Sequence, residues 1–251
     1  DSYYGLTAQI APLASLYEAG FHLFSYTRNG LFMAPLFLLL GAQMGKRGPA
    51  PLPWAAGLGL ALSLGLVVGL PVAHPGGKPY NALVMIDRDG SVAGLQGKTH
   101  FFGGEEKMFD PGPTLRAFDT SFGRMGLLVC YDGEFPETAR SLALDGAKLI
   151  CMGAANMTPY EDYHFDNMHT RAMENRIYTL YCNYVGTEKR FHYCGQSGAF
   201  HPTGKILAQA DPRSEALLLA DIDLADTTAQ DDFLNYLRHR QTQVYHPDLL
   251  G

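Results

Sequence analysis

The sequence predicts an α/β fold built in layers around a largely buried sheet. Three observations predict it. Short, near-continuous apolar runs recur along the chain, as strands covered on both faces require. Two helix-like segments, FPETARSLALDGA and FDNMHTRAMENR, fall between them. Turn signals such as RDGS and TGKI separate the pieces. With 251 residues, 47% hydrophobic and 18% charged, the chain can bury a large core without staples. It shows no internal repeat, low-complexity tail or linker, so it reads as one domain over 1–251, with 234–251 as a C-terminal arm.

In chain order, the predicted strands begin with YGLTAQIAP near the start and GLFMAP around 30–35. GLVVGLP follows, then YNALVMID, which ends at the turn RDGS. MGLLVC, KLICMGA and IYTLYCNYVG read as strands by their apolar, β-branched or aromatic content. SGAFHP precedes TGKI, and ILAQA and ALLLADID complete the set. The helix expected over residues 138–144, with Pro136 just ahead of it, is followed by Gly146 as a stop. The polar tail DLADTTAQDDFLNYLRHRQTQVYHPDLL reads as a surface helix followed by an arm. Tyr236, Tyr245, Leu249 and Leu250 have little to bury on one copy, so the arm is expected to dock on a neighbouring subunit.

Residues 48–73, GPAPLPWAAGLGLALSLGLVVGLPVA, carry no charge and are long enough to span a bilayer. Pro51, Pro53, Pro71 and the pair Val67-Val68 favour instead a short helix followed by a buried strand. Residues 1–77 hold only Asp1, Glu18, Arg28, Lys46 and Arg47 of the chain's 19 basic and 25 acidic side chains. Helices covering a sheet in water carry a charged outer face. Such poverty implies cover by another subunit, burial in lipid, or a departure of this stretch from the protein's working sequence.

Composition also narrows the partners. A formal charge of −6 without a basic cluster leaves no electrostatic footprint for nucleic acid. Cys130, Cys151, Cys182 and Cys194 form no CxxC pair or ligand spacing, which argues against zinc and against a secreted disulfide framework. A cytoplasmic location follows. His164 and His169 are five apart, on different helix faces, so no metal site is expected there.

Cys130 differs from the other three cysteines. It ends the apolar run MGLLVC where the chain opens into YDGEFPE, at a strand-to-helix junction of the kind where functional side chains emerge. Amides at a helix start favour the thiolate. Cys151 and Cys182 lie inside apolar runs and Cys194 in a loop-like FHYCGQSG, all suited to packing. A thiolate attacking a carbonyl also needs a base and oxyanion donors. The loop-like GKTHFFGGEEKMFDPG places a glutamate seven positions after Lys98, which makes a candidate Lys-Glu-Cys constellation.

KTHFFGGEEKMFDPG, CYDGEFPETARSLALDGA, ANMTPY, RAMENRIYTLYCNYVG and CGQSGAFHPTGKIL occur in this order. In order and spacing they resemble the nitrilase superfamily of thiol carbon–nitrogen hydrolases, most closely its amidase-like branch. The resemblance is strong over residues 78–251 and weak before them. It implies an α/β, four-layer αββα sandwich of the carbon–nitrogen hydrolase type, forming homo-oligomers from dimers to spirals or filaments. It implies Cys130 as nucleophile, Lys98 as oxyanion cation with the backbone N–H of Tyr131, and Glu105, rather than Glu106, as supporting glutamate. No cofactor or metal is implied. YDGEFPE lacks the tryptophan-glutamate pair of true nitrilases, which favours a small amide as substrate, and Asn156 and Met157 are pocket candidates.

One departure matters. The family's general base is a glutamate directly after a proline, whereas Leu36 follows Pro35 here, and no Asp or Glu occurs between Glu18 and Asp87. Leucine accepts no proton. The resemblance therefore implies either an amidase or a catalytically impaired member that serves assembly.

Overall fold

The computed structural model describes residues 24–25, 31–33, 65–225 and 233–249. Its strands are β1 (Phe24–Ser25), β2 (Leu31–Met33), β3 (Gly65–Val72), β4 (Tyr80–Ile86), β5 (Val92–Gly97), β6 (Phe118–Thr120) and β7 (Gly123–Val129). They continue as β8 (Leu149–Ala154), β9 (Tyr178–Asn183), β10 (Val185–Glu188), β11 (Phe191–Cys194), β12 (Gly198–Phe200), β13 (Ile206–Gln209) and β14 (Leu218–Leu219). Two α-helices, α1 (Pro136–Leu144) and α2 (Tyr163–Asn175), lie among the described residues.

The strands form two six-stranded sheets, ordered β14-β1-β2-β3-β4-β5 and β13-β12-β9-β8-β7-β6, with β10 and β11 as a separate hairpin. In the second sheet β7, β8 and β9 run parallel, and β6 and β12 flank them antiparallel. Strand alternation decides what each face covers. Leu83 and Met85 of β4 share an inter-sheet core with Leu127 and Val129 of β7 and with Cys151 of β8. The sheets approach closely there: Leu83 Cδ2 would lie 3.1 Å from a Cβ added at Gly153.

The other face of the second sheet packs on the helices. Leu128, Ile150 and Met152 meet Ala139, Leu142 and Ala143 of α1 and Phe165, Met168 and Ala172 of α2. Helical spacing of three and four residues produces both apolar stripes. Pro136 opens α1 at a position where its missing N–H costs nothing, and Gly146, at φ +88°, follows its end. On the far side of the first sheet, Leu66, Val68, Leu70, Val84 and Ile86 form a third buried cluster. The two sheets and their buried outer faces are the middle and flanks of the expected sandwich.

Most sequence expectations lie where predicted, including β3 in the charge-free stretch. Gly65–Val72 is a strand, and among the described residues no helix is long and apolar enough to cross a membrane. The strand expected in YGLTAQIAP, the short helix before residue 65, and the Pro35-Leu36 pair lie outside the described residues. Three expectations need correction. FHYC is strand rather than loop, paired along β10 from Val185↔Cys194 to Glu188↔Phe191. ALLLADID shortens to the two residues of β14. The tail has no α-helix among its described residues 233–249, only 3-10 turns at Thr242–Val244 and Pro247–Leu249. Its apolar residues have no helical stripe, and Phe233 and Val244 stand 92% and 74% exposed.

Candidate active site

Lys98 follows directly on β5, and Cys130 directly on β7. Backbone bonds fix Lys98 on both sides: its N–H donates to Asn81 O at 2.7 Å, and its carbonyl accepts from Gly112 N at 2.8 Å. The side chain is 2% exposed, so its ammonium needs a partner. Glu105 supplies it, with Nζ donating to Oε2. Glu105 is itself oriented by Asn81 Nδ2 on Oε1 at 3.2 Å and Phe102 N on Oε2 at 2.9 Å. Glu106 is exposed and does not take this place.

Cys130 has φ 52°. A side chain in the left-handed region costs about 1–3 kcal/mol, a strain that recurs at functional turns. Cys130 is half-buried, at the start of a 3-10 turn, Cys130–Glu134. Burial raises its pKa above the ordinary thiol value and outweighs the opposing pull of the Lys98 cation and of the N–H groups of Ala155 and Tyr131. The Glu105 carboxylate also pushes it up. Sequence context favoured a thiolate; the desolvated site keeps a resting thiol instead. The same charges place Cys130, Lys98, Glu105 and the Tyr131 N–H in one electrostatic environment, although 32 residues separate Lys98 from Cys130.

The other cysteines have different surroundings. Cys151 and Cys182 are fully buried and their thiols are pushed far up by burial alone or nearly so. Cys194, its Sγ 3.2 Å from Asn156 O, is pushed up to about 11 by burial.

The turn carrying Cys130 is braced from three directions. Asp132, fully buried, accepts Thr99 N at 3.1 Å, Thr99 Oγ1 at 2.7 Å, His100 N at 2.8 Å and Val129 N at 3.2 Å. His100 Nδ1 lies 3.0 Å from the same carboxylate. Asp132 thus joins the segment after Lys98 to the turn after Cys130. Thr138 Oγ1 of α1 donates to Asp132 O at 2.8 Å. From α2, the 5%-exposed Arg171 donates to Gly133 O at 3.4 Å and to Glu134 O at 3.1 Å, and His164 Nε2 sits 3.1 Å from Glu134 Oε1.

None of these braces was singled out from sequence. Asp132 had one usable signal, an acidic residue two positions after the cysteine in a turn. Arg171 and His164 act on partners 30 or more positions away, and nothing local marks that. Asn156 and Met157, expected to line a pocket, lie in the loop after β8. Asn156 is buried and its side chain is committed locally: Nδ2 donates to Tyr160 O at 2.6 Å, and Oδ1 accepts Met157 N at 3.0 Å and sits against the loop. Met157 bridges to Tyr193. His169 Nε2 lies 2.7 Å from Gly204 O, and no metal-holding cluster occurs among the described residues.

Comparison with known proteins gives the family of the chain. Residues 58–231 match the profile described as carbon-nitrogen hydrolase. A protein described as a hydrolase in the pqqF 5′ region of Pseudomonas protegens is 36% identical over 230 residues, 87% of this chain and 80% of that protein. An (R)-stereoselective amidase of a Pseudomonas sp. is 33% identical over 189 residues, covering 73% and 68% of the two chains. A solved mutant of the amidase from Nesterenkonia sp. AN1 superposes with a TM-score of 0.67 at 27% identity, covering 76% of this chain and 70% of that one. That structure carries the acetamide moiety of fluoroacetamide covalently added at its active-site cysteine.

Proposed function

The chain belongs to the carbon–nitrogen hydrolase family, in the amidase-like branch of the nitrilase superfamily, and on that premise we propose that it hydrolyses a small primary amide through a thioester on Cys130. One observation carries the proposal: the Cys130 thiol, held in a left-handed turn, shares its electrostatic surroundings with the Lys98 ammonium and the carboxylate that orients it. That is the equipment of acyl transfer, a nucleophile beside preorganised positive charge.

Cys130 Sγ attacks the carbonyl carbon, and its proton passes to a carboxylate. Lys98 Nζ and the Tyr131 N–H receive the oxyanion. The proton goes on to the departing nitrogen, and ammonia leaves. Water then attacks the thioester, giving the carboxylic acid and restoring the thiol. Among the described residues Glu105 is a carboxylate whose charge acts on the thiol, but its oxygens are engaged by Asn81, Phe102 and Lys98, which makes it a weak substitute for a dedicated base. Without a separate base after Pro35, turnover is slower by on the order of 10²–10⁴ than in a fully equipped site.

Leu36 after Pro35 favours a second reading, an impaired member that keeps its subunit contacts, including docking of the 234–251 arm. Ammonia release from acetamide and from phenylacetamide decides between them. Release by the unmodified chain and none by Cys130→Ala supports the amidase. No release from either, by a protein that forms large assemblies, supports the second reading. Release that survives Cys130→Ala rejects the assignment of the nucleophile.

A further inference from the structure

Six rings form a continuous ladder across the segments that carry Lys98, Cys130 and Asn156. Tyr163 meets Tyr160 at 5.9 Å between centroids, Tyr160 meets Phe102 at 5.8 Å, and Phe102 meets Tyr131 at 5.5 Å. Tyr131 meets Phe135 at 5.0 Å, and Phe135 stacks on His100 at 3.9 Å. Apart from that last pair the contacts are edge-to-face, with interplanar angles from 62° to 87°.

The ladder joins three segments, those following β5, β7 and β8, at the same ends of their strands as the reacting groups. Its middle is tied to those groups. The Phe102 N–H donates to the Glu105 oxygen that also holds Lys98. Tyr131 follows Cys130 in sequence. Tyr160 O accepts from Asn156, the residue after Ala155, whose N–H acts on the sulfur.

Packing does not account for these rings. Tyr181 and Phe200 of the core are at most 1% exposed, whereas Phe102, Tyr160 and Tyr163 are 39%, 38% and 55% exposed. Contiguous apolar surface left in water beside a nucleophile is the signature of a binding wall. Of the charges near its middle, Glu105 is held by Lys98, and the exposed Glu106 and Lys107 carry opposite signs; the acidic Glu161 and Asp162 lie at the Tyr160–Tyr163 end. Edge-to-face rings offer alternating faces and edges, which suit a further neutral ring.

We propose that this ladder is the acyl-binding wall of the site and that it selects primary amides whose acyl group carries an aromatic ring over those of acetamide size. The assignment rests on Cys130 being the nucleophile, and its test reads binding rather than turnover. The full chain is labelled with iodoacetamide in the presence of increasing phenylacetamide or acetamide, and modification of Cys130 is followed by peptide mass. Phenylacetamide is expected to half-protect Cys130 at about one tenth of the acetamide concentration, the gain of roughly one added aromatic contact. Phe102→Ala, which keeps the backbone donor to Glu105, and Tyr160→Ala should each reduce that advantage to about threefold or less. Equal protection by the two amides, or an advantage untouched in both variants, overturns the proposal. A Cys130 that iodoacetamide does not label at all rejects the nucleophile, and the acyl wall with it.

Discussion

Asp132 is expected to be the side chain on which the site's geometry depends most, although it is not itself one of the reacting groups. In Asp132→Ala the N–H groups of Thr99, His100 and Val129 lose their acceptor. A buried donor left unmade costs about 1–3 kcal/mol. Val129 is buried while Thr99 and His100 are half-buried, so water recovers part of the loss and the sum comes to about 3 kcal/mol. Against a typical total of about 5–15 kcal/mol, that is a large shift in the midpoint of urea unfolding. Asp132→Asn keeps one oxygen and nearly the same shape, so it should lose less stability but still loosen the link between the Lys98 segment and the Cys130 turn. A misplacement near 1 Å between reacting groups costs on the order of 10²-fold, and amide turnover by Asp132→Asn should fall by about that much. A variant as stable as the unmodified chain, with unchanged Cys130 alkylation and turnover, would refute this account of Asp132.

Other perturbations have equally definite outcomes. Arg171→Met removes the donor to Gly133 O and Glu134 O and takes from the partly exposed Glu174 its 2.9 Å partner, leaving it the Asn175 amide at 3.4 Å; a loss of about 1–3 kcal/mol by urea unfolding is expected, most of it from the orphaned carbonyls. Gly133→Ala puts a Cβ against Met152 Sδ and within 3.3 Å of Met168 Sδ, and overpacking of this kind should cost about 1–3 kcal/mol in the same assay. Under native conditions iodoacetamide should modify Cys130 first and Cys194, with its thiol pushed up to about 11, far more slowly. Cys151 and Cys182, sealed in the core, should react only after unfolding, as peptide mapping will show.

What the sequence made legible follows from where the determinants lie. MGLLVC, KLICMGA and IYTLYCNYVG are predominantly apolar because β7, β8 and β9 are parallel central strands covered on both faces, and such strands mark themselves. VAGLQG does not: β5 is an edge strand with two glycines, and its outer residues are exposed. The β10–β11 hairpin stands outside both sheets and is polar at Thr187, Glu188 and His192, so its pairing left no periodic signal. In the candidate site, the Lys98–Glu105 pair and the Cys130 turn lie in segments that local motifs had marked. Asp132, Arg171 and His164 were not legible, because their roles come from tertiary pairing of α2 and the post-β5 segment with one short turn. The thiol's elevated pKa was likewise invisible, since burial, not the local amides, decides it.

The central claim is that the Cys130 sulfur, the Lys98 ammonium and the Glu105 carboxylate act within one site. The pH dependence of Cys130 alkylation tests it most directly. Burial outweighs Lys98, so the unmodified chain should react with a midpoint above the ordinary thiol value of about 8.5. Lys98→Met removes the cation that stabilises the thiolate and should move the midpoint higher. Glu105→Gln removes the anion that opposes it and should move the midpoint lower. Profiles of all three proteins that coincide would contradict a shared site.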